Sequence, residues 1–334
     1  MGELASNLRS SDANALLRVA GLTVNYGSEG RAMAPALRGL GLKLVAGEIV
    51  GILGESGSGK STLALSLLGL LPANCRVEGS IRYGEQELLS LDDAGWREVR
   101  GAGIAIIFQE PGLSLSPVLR VGDQIGEVIR AHRKTTRRER EVEAKAILEQ
   151  VQLKDVDRIA AAYPHQLSSG QLHRVAIAQA LACRPKILIA DEPTRALDPT
   201  IQNEVIDLLR DANRESGTAI IFITHNPALL AGFADRAIVM YAGQIVEAGP
   251  VSEVFSRPHH PYTQGLLQLS FRNRGFDSGR FSTIPGMLED SLKVTQGCVF
   301  EPRCHARTPI CRNETPTEMV AEPGRRVSCF NHVN

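Results

Sequence analysis

The chain has no net charge, no long apolar run and no apolar leader, and each absence excludes a class of protein. Lysine plus arginine and aspartate plus glutamate number 37 each in 334 residues, whereas nucleic-acid binders are usually basic. No apolar run approaches the ~20 residues of a transmembrane helix, and residues 1–6 lack a signal-peptide core. We therefore expect no nucleic-acid partner, and any role at a membrane would need membrane-spanning partner chains.

Apolar segments alternate with helical segments from about residue 48 onwards. Near-continuous apolar strands separated by helices are typical of a parallel sheet that is covered on both faces. Shorter β-favouring runs broken by glycines, from Leu17 to Val50, predict an antiparallel β region before that sheet. The sequence therefore indicates an α/β protein. Its strand candidates are Ile49–Leu53, Ile104–Phe108, Ile187–Ala190, Ala219–Ile223 and Ala237–Met240.

Changes in composition divide the chain into regions. Residues 1–15 are polar and are expected to be loose, and residues 16–250 carry the α/β pattern. A charged helical insertion interrupts that pattern at about residues 111–165. Within it, Thr136 and Glu139 form a capping-box pattern that predicts a helix beginning near Arg137. Residues 251–334 are rich in proline and arginine, and we expect a small irregular C-terminal extension there.

A glycine-rich segment directly after the first predicted parallel strand fits the phosphate-binding pattern G-x-x-x-x-G-K-[ST]. A helical run, Ser61–Leu71, follows it, which is the context that the motif requires. The glycines let backbone N–H groups turn towards a phosphate chain, and the helix start adds partial positive charge. We expect Lys60 to reach the β- and γ-phosphates and Ser61 to bind Mg²⁺. This phosphate loop consists of Gly54, Glu55, Ser56, Gly57, Ser58, Gly59, Lys60, Ser61 and Thr62.

Two carboxylates end the predicted strand Ile187–Ala190, about 130 residues after the phosphate loop. Asp191 is expected to hold Mg²⁺, directly or through water. Glu192 lies one residue further on, where its carboxylate can polarise the attacking water. Together with the phosphate loop, this strand predicts a site that hydrolyses a nucleoside triphosphate.

The segment Gln166–Gln171, with the sequence QLSSGQ, precedes a helical run through Ala182. It resembles the LSGGQ signature of the ATP-binding cassette (ABC) ATPases, and the resemblance covers roughly residues 17–250. It implies a P-loop ABC ATPase core with an antiparallel β subdomain and a helical subdomain. It also implies a second ATPase domain packed head to tail, so that each signature closes over the partner's ATP. The signature residues expected to contact that ATP are Ser168, Gly170 and Gln171.

Further positions match this family residue by residue. Tyr26 resembles the aromatic residue that stacks on adenine, although an ordinary strand aromatic also fits the position. Gln109 resembles the glutamine that contacts Mg²⁺ and links the ATP site to the membrane domain. His225 resembles the switch histidine that contacts the γ-phosphate. Asp198 resembles the D-loop aspartate, and because it precedes Pro199 it is also expected to cap the following helix.

Two positions depart from the family pattern. Ser169 stands where the family usually has glycine and Arg195 where it usually has serine, and both are expected at the interface with the second ATPase domain. This chain's own catalytic half is intact. The sequence therefore predicts a heterodimer in which the ATP bound by this chain is hydrolysed and the opposite site is slower. The intact residues are Lys60, Asp191, Glu192 and His225.

Four of the six cysteines crowd into the last forty residues: Cys298, Cys304, Cys311 and Cys329. Disulfides are not expected in a cytosolic protein. Structural zinc usually shows paired C-x2-C knuckles, which are absent, and an iron–sulfur cluster also takes four thiolates. From spacing alone, zinc and a cluster remain equally open, beside the alternative that the cysteines bind nothing.

The C-terminal region resembles the extension of the dipeptide/oligopeptide ABC importer ATPases. The resemblance rests on Gly297–Cys304, on Cys311, on Arg326–Cys329 and on His260–Leu266. It implies a [4Fe–4S] cluster on the four cysteines and import of peptides, with nickel, sugars or glutathione as alternative cargoes.

The same resemblance implies a set of partners and a location. The partners are a second ATPase subunit, two transmembrane permease subunits and an external substrate-binding protein. The chain would lie at the cytoplasmic face of a bacterial inner membrane. A soluble ABC ATPase of DNA repair or ribosomes is the other class, but such proteins usually carry two ATPase domains or a long coiled-coil insertion. Neither is present in this sequence.

Overall fold

The computed structural model describes residues 15–28, 31–195, 197–271 and 284–332, so residues 1–14 of the predicted loose N-terminus lie outside the described residues. The strands, in chain order, are β1 (Ala15–Ser28), β2 (Arg31–Val45), β3 (Ile49–Leu53), β4 (Cys75–Tyr83), β5 (Gln86–Glu87), β6 (Ile104–Ile107), β7 (Ile187–Asp191), β8 (Ala219–Thr224), β9 (Arg236–Tyr241), β10 (Gln244–Pro250), β11 (Met319–Glu322) and β12 (Arg325–Val327).

The α-helices follow the same order, and short 3₁₀ helices span Pro164–Gln166, Pro227–Leu229 and Glu301–Arg303. In the described part of the chain, no helix combines the length and the apolar character that crossing a bilayer requires. The helices are α1 (Lys60–Ser66), α2 (Asp93–Val99), α3 (Pro111–Ser114), α4 (Val121–His132), α5 (Arg137–Gln150), α6 (Val156–Ala161), α7 (Ser169–Leu181), α8 (Pro199–Ser216), α9 (Val251–Ser256), α10 (Pro261–Phe271), α11 (Leu288–Leu292) and α12 (Ile310–Asn313).

The chain forms two compact units. The first combines residues 1–44, 49–89 and 224–334, and the second combines residues 45–48 and 90–223. The phosphate loop and the four clustered cysteines belong to the first unit, whereas the signature segment and the strand that ends in Asp191 belong to the second. The domain boundaries expected from composition, at residues 16 and 250, stay a prediction.

The first unit contains an antiparallel sheet in the order β2-β1-β4-β5, in the region where the sequence predicts one. In β1 the buried positions alternate as Leu17 and Val19, and then as Leu22 and Val24. The register with β4 shifts between Ala20 and Thr23, which explains why the alternation changes phase. Because side chains in a strand alternate between faces, this irregularity keeps both halves of β1 facing the core.

The first unit also carries strands in the order β11-β12-β10-β9-β3. β3 pairs in parallel with β9, from Val50 opposite Arg236 to Leu53 opposite Val239, and β10 is antiparallel to both β9 and β12. All five residues of β3 are buried, as a two-sided parallel strand requires. The phosphate loop therefore begins at the carboxyl end of a buried strand.

The second unit contains β8-β7-β6 as parallel neighbours, and every residue of β7 and β8 is buried. The predicted helix start is confirmed, because α5 begins at Arg137. The Thr136 Oγ1 accepts a hydrogen bond from the Glu139 backbone N at 3.3 Å, and the Thr136 backbone N donates to Glu139 Oε2 at 2.7 Å. Such a box satisfies two N–H groups that a helix start otherwise leaves unpaired.

The C-terminal extension is more regular than the sequence suggests. Its described residues, 251–271 and 284–332, form four α-helices, one 3₁₀ helix and the β11–β12 hairpin, and β12 pairs with β10 through Glu247 opposite Val327 and Ala248 opposite Arg326. Beneath this pairing, Arg325 donates to the Glu247 carboxylate at 2.9 Å, with both side chains fully buried. β11 has four residues and β12 has three, which is too few for an alternating pattern to be recognised in the sequence.

Candidate active site

Two glycines of the phosphate loop, Gly54 and Gly59, lie close to the backbone of other segments of the chain. A Cβ on Gly54 would lie 2.4 Å from the Met240 carbonyl oxygen. A Cβ on Gly59, which precedes α1 with a φ of +103°, would lie 2.7 Å from the Ala36 carbonyl oxygen. Real Cβ atoms do not approach oxygen so closely, and other residues rarely adopt this φ. Both positions therefore require glycine.

Lys60 folds back over the phosphate loop. Its Nζ donates to the carbonyl oxygens of Gly54 and Glu55, each at 2.8 Å, and to Ser58 Oγ at 3.3 Å. The side chain is only 6% exposed. The loop thus surrounds a buried ammonium, which is the group expected to bind the β- and γ-phosphates. Ser61, the expected Mg²⁺ ligand, is exposed at the start of α1.

Two other predicted residues belong to the same unit. The Tyr26 hydroxyl lies 3.2 Å from Thr62 Oγ1, so this tyrosine is fixed beside the helix that follows the loop. His225 comes directly after β8 and is exposed. Stacking of Tyr26 on adenine and contact of His225 with the γ-phosphate stay predictions. The hydroxyl bond accounts for the position of Tyr26 without a nucleotide.

The second unit brings together the carboxylates and the glutamine. Asp191 is the buried last residue of β7, opposite Ile223 of β8, and the Glu192 backbone N donates to the Ile223 carbonyl oxygen at 3.0 Å. Gln109, two residues after β6, lies with its side-chain amide 3.3 Å from Glu192 Oε2. Glu192 has a φ of +47°, a left-handed conformation that is uncommon outside glycine and often found at functional sites.

Arg195 contacts this same carboxylate, a contact that the family pattern does not suggest. Its Nη1 lies 3.8 Å from Glu192 Oε2, and its guanidinium also faces the Gln109 amide. The sequence predicts Arg195 at a contact with a second ATPase domain, but in this structure its charge pairs within its own chain. The i,i+3 spacing between opposite charges is the signal in the sequence that could have found this pair.

The signature segment caps a helix. Ser168 Oγ accepts from the Gln171 backbone N at 3.3 Å, and the Ser168 backbone N donates to Gln171 Oε1 at 3.1 Å, so α7 begins with a capping box. The sequence carries the required S-x-x-Q pattern, although the family resemblance points only to an ATP contact at these residues. Ser168 and Ser169 are exposed at this helix start, and a Cβ added to Gly170 would meet no atom within 4 Å.

Asp198 caps α8 as the sequence predicts. Its Oδ1 accepts from the backbone N atoms of Thr200 and Ile201, each at 3.1 Å, and Pro199 occupies the first helical position. Gln202 donates to the carbonyl oxygens of Thr194 and Leu197, which fixes the turn before the cap. The capping role of Asp198 is thus confirmed, and its D-loop role stays a prediction.

The four C-terminal cysteines are free thiols near one another in the first unit. The Cys298 backbone N donates to the Cys311 carbonyl oxygen at 2.7 Å. Burial raises the pKa of the Cys298 thiol to about 11 and also raises the pKa values of Cys304 and Cys329. The backbone N–H of the residue two positions later counteracts this rise in pKa at each of the three thiols.

The arrangement of the four thiols does not itself form a metal site. Across residues 15–28, 31–195, 197–271 and 284–332, no group of three or more His, Cys, Asp or Glu side chains is placed to hold a metal ion. The predicted metal-binding character of the C-terminal extension is therefore not supported by this geometry. Four cysteine thiols are a suitable set of ligands for a metal ion or an iron–sulfur cluster, but in this structure the thiols are not arranged around a common point.

Comparison with known proteins adds to this geometry. Residues 37–195 match the ABC transporter family, and residues 246–311 match the oligopeptide/dipeptide transporter C-terminal region. The chain is 42% identical over 321 residues to the oligopeptide transport ATP-binding protein OppD of Salmonella typhimurium, across 96% of this chain and 95% of that protein. It is 42% identical over 319 residues to the dipeptide transport ATP-binding protein DppD of Escherichia coli, across 94% and 96%.

Solved structures give the same match for the ATP-binding part. The dimeric ATP-binding cassette MJ0796, bound to ADP and phosphate, is similar with a TM-score of 0.63 and 32% identity, over 70% of this chain and 98% of that one. The similarity to the two transport proteins, by contrast, extends over nearly the whole of each chain.

Proposed function

Because the chain belongs to the ATP-binding proteins of the ABC transporter family, we propose that it hydrolyses ATP to drive the import of dipeptides or oligopeptides. The observation that carries this proposal is the match of the C-terminal region to the oligopeptide/dipeptide transporter family. It is joined by 42% identity to two peptide transport proteins over nearly the full length of each chain. The phosphate loop with its buried Lys60 supports the ATPase part independently.

In the proposed mechanism each residue group has one task. Lys60 and the N–H groups of the phosphate loop would hold the β- and γ-phosphates, while Ser61, Gln109 and Asp191 would provide oxygen ligands for Mg²⁺. Glu192 accepts a proton from the attacking water, and His225 contacts the γ-phosphate. Mg²⁺ would neutralise charge on the phosphates. Tyr26 would stack on adenine.

We propose the partners that such an importer needs. A second ATPase subunit would contribute its own signature segment to this chain's ATP, and Ser168, Gly170, Gln171 and Asp198 would contact the partner's ATP. ATP-driven closure of the two ATPase subunits would be transmitted to two transmembrane permease subunits. An external substrate-binding protein would deliver the peptide. The chain would then be peripheral to the inner membrane, on its cytoplasmic face.

Transport by the assembled complex tests the cargo. Vesicles containing the complex are supplied with binding protein, ATP and labelled dipeptide or pentapeptide, and uptake is compared with that of nickel, a disaccharide and glutathione. Uptake of peptide that stops in the Lys60→Ala variant supports the proposal. Uptake of one of the other solutes instead would replace the cargo and leave the ATPase assignment standing.

The finer proposal for the cysteines is a [4Fe–4S] cluster, with zinc as the alternative. It is supported by four free thiols within one short stretch of the chain, and these thiols would have to draw together to bind a cluster. Iron, zinc and acid-labile sulfide are measured on anaerobically purified protein. About four iron and four sulfide per chain support the cluster, whereas a metal-free, correctly folded chain would exclude both proposals.

A further inference from the structure

The C-terminal extension reaches the phosphate loop through one buried arginine. Arg303 pairs in a bidentate manner with Glu55, the second residue of the loop: Nη1 donates to Oε2 at 2.7 Å and Nη2 to Oε1 at 3.2 Å. The arginine side chain is 6% exposed and the glutamate side chain 28%. A paired fork of this kind fixes direction as well as distance.

The guanidinium is held from its other sides too. Its Nε donates to the Pro285 carbonyl oxygen at 2.8 Å, its Nη2 to the Ile284 carbonyl oxygen at 3.4 Å and its Nη1 to the Tyr241 hydroxyl at 3.2 Å. Every nitrogen of Arg303 therefore has a partner. The side chain has no spare donor with which to bind a separate anion, so its charge is directed at Glu55.

Glu55 is also fixed through its backbone. Its N donates to the Tyr262 hydroxyl at 2.9 Å, and its carbonyl oxygen accepts from Lys60 Nζ at 2.8 Å. Tyr262 is fully buried and packs against Tyr241 and Phe300, with ring centroids 4.6 and 5.5 Å away. Glu55 is thus held at three points, of which two come from residues after position 250.

A second contact reaches the middle of the loop. A Cβ on Gly57 would lie 3.1 Å from Leu288 Cδ2, so α11 packs directly against the loop backbone. Arg38 of β2 donates to the carbonyl oxygens of Leu292 and Val294 at 2.7 and 2.6 Å, which fixes the end of that helix. The extension therefore supports the loop at both Glu55 and Gly57.

We propose that Arg303 is a positioning residue for ATP binding, which acts by holding Glu55 so that the phosphate loop is shaped before the nucleotide arrives. This inference rests on the proposed function, because it concerns the same loop. The loop N–H groups and Lys60 must point at the phosphates, and a loop that is already ordered loses less conformational entropy on binding. The C-terminal extension is accordingly part of the ATP site's support.

The test measures MgATP affinity of the full chain by equilibrium binding of a slowly hydrolysed analogue. Arg303→Gln and Arg303→Lys both remove the bidentate pair, and each is expected to weaken binding about tenfold, the factor that corresponds to one charged hydrogen bond. The matched control is Arg312→Gln, which removes an exposed pair with Glu301 at 3.0 Å in the same extension. That variant is expected to bind MgATP as wild type does.

A double-mutant cycle separates positioning from general stability. If Arg303 acts through Glu55, the variant Glu55→Gln with Arg303→Gln binds MgATP about as weakly as either single variant. Tyr262→Phe, which removes only the hydroxyl, gives a second measurement in case an arginine variant does not fold. It is expected to weaken binding several-fold while the melting temperature falls little.

The outcomes distinguish this inference from the proposed function. If the Arg303 and Tyr262 variants bind within twofold of wild type while Lys60→Ala loses binding, the positioning role is wrong and the ATP site stands. If the effects of Glu55→Gln and Arg303→Gln simply add, Arg303 does not act through Glu55. If Lys60→Ala binds as wild type does, the phosphate loop is not the ATP site and the proposed function itself fails.

Discussion

Two groups of candidate active-site residues, one in each unit, are held in opposite ways. In the first unit, the phosphate loop is constrained on all sides: Gly54 and Gly59 touch other backbone, Lys60 is buried against carbonyls, and Glu55 is held at three points. In the second unit, Glu192 sits in an uncommon backbone conformation and shares its carboxylate with the amide of Gln109 and the charge of an exposed arginine.

This difference suggests that nucleotide binding and hydrolysis depend on separate groups of residues. The residues proposed to bind phosphate are held by several buried contacts, whereas the carboxylate proposed to activate water contacts only an amide and an exposed arginine among the pairs described above. A nearby positive charge favours the ionised form of a carboxylate, so a carboxylate in an ion pair is a weaker proton acceptor than a released one. Binding and hydrolysis should therefore respond to different substitutions, and the experiments below can break or sharpen that distinction.

The largest effect is expected at Glu192, the proposed general base. In the assembled transporter, Glu192→Gln should lower steady-state ATP hydrolysis by about 10²- to 10⁴-fold, because it removes a general base, and leave MgATP affinity within about twofold. Rate and affinity are measured on the same preparation. Activity above about half of wild type would contradict both the assigned role and the predicted heterodimer in which this chain's ATP is the one hydrolysed.

The next effect is steric and falls on the phosphate loop. Gly59→Ala should destabilise the first unit by about 1–3 kcal/mol and impair MgATP binding, because φ is +103° and the new Cβ would meet the Ala36 carbonyl. Thermal unfolding and nucleotide titration provide the measurement. Gly217→Ala is the matched control, since Gly217 has a φ of +65° with nothing within 4 Å. Equal effects would mean that backbone strain alone matters.

Lowering the pH should reduce the stability of the first unit, which contains the phosphate loop and His260. Burial lowers the pKa of His260 to about 3, from an ordinary 6.5, so folding keeps this histidine neutral. Its Nδ1 accepts from the Tyr262 backbone N at 3.0 Å, and its own backbone N donates to Glu247 of the Glu247–Arg325 pair.

The sign of the pH effect follows from that direction. Above pH 6.5 His260 is neutral in both states and contributes nothing, and between pH 6.5 and about 3 the unfolded chain binds a proton that the folded chain does not. Stability should thus fall by up to about 1.4 kcal/mol per pH unit in that range. Urea unfolding at pH 7 and pH 5 measures it. His260→Asn should flatten the decline, and an unchanged slope would contradict the assignment.

The smallest effect tests the shared carboxylate. Arg195→Ser should raise the hydrolysis rate by up to about fivefold, the scale of an exposed ion pair, by releasing Glu192. Arg137→Ser, which breaks an exposed pair with Glu141 at 2.9 Å, serves as the control. A rate that stays the same at saturating MgATP would show that the Arg195 contact does not compete with catalysis.

The sequence correctly predicts the elements whose signals lie within a few neighbouring residues. β3 spans Ile49–Leu53 as expected, and the helix start at Arg137 and the cap at Asp198 are confirmed because each depends on residues within four positions. β7 and β8 each extend one residue beyond the predicted ends. Apolar runs and capping patterns are short-range signals, so a single sequence suffices for them.

The sequence gives no signal for side-chain pairs whose members lie far apart along the chain. Glu55 and Arg303 are separated by 248 positions, and no periodicity or motif connects them. β11 and β12 escape prediction because they have only four and three residues, and β12 pairs with β10 beside the buried ion pair of Arg325 and Glu247. Ser168 is a different case: its capping pattern is legible in the sequence, but the stronger family motif occupies the same residues.

The β11–β12 hairpin has a practical consequence for anyone who shortens this chain. As built, β12 covers one side of β10, where Ser328 N also donates to the Val246 carbonyl oxygen at 2.9 Å. Removing the hairpin and the residues after it would turn β10 into an exposed sheet edge and leave the buried Glu247 carboxylate without Arg325. Unprotected edges recruit other strands. Such a shortened protein should therefore tend to aggregate even though its nucleotide motifs are all present.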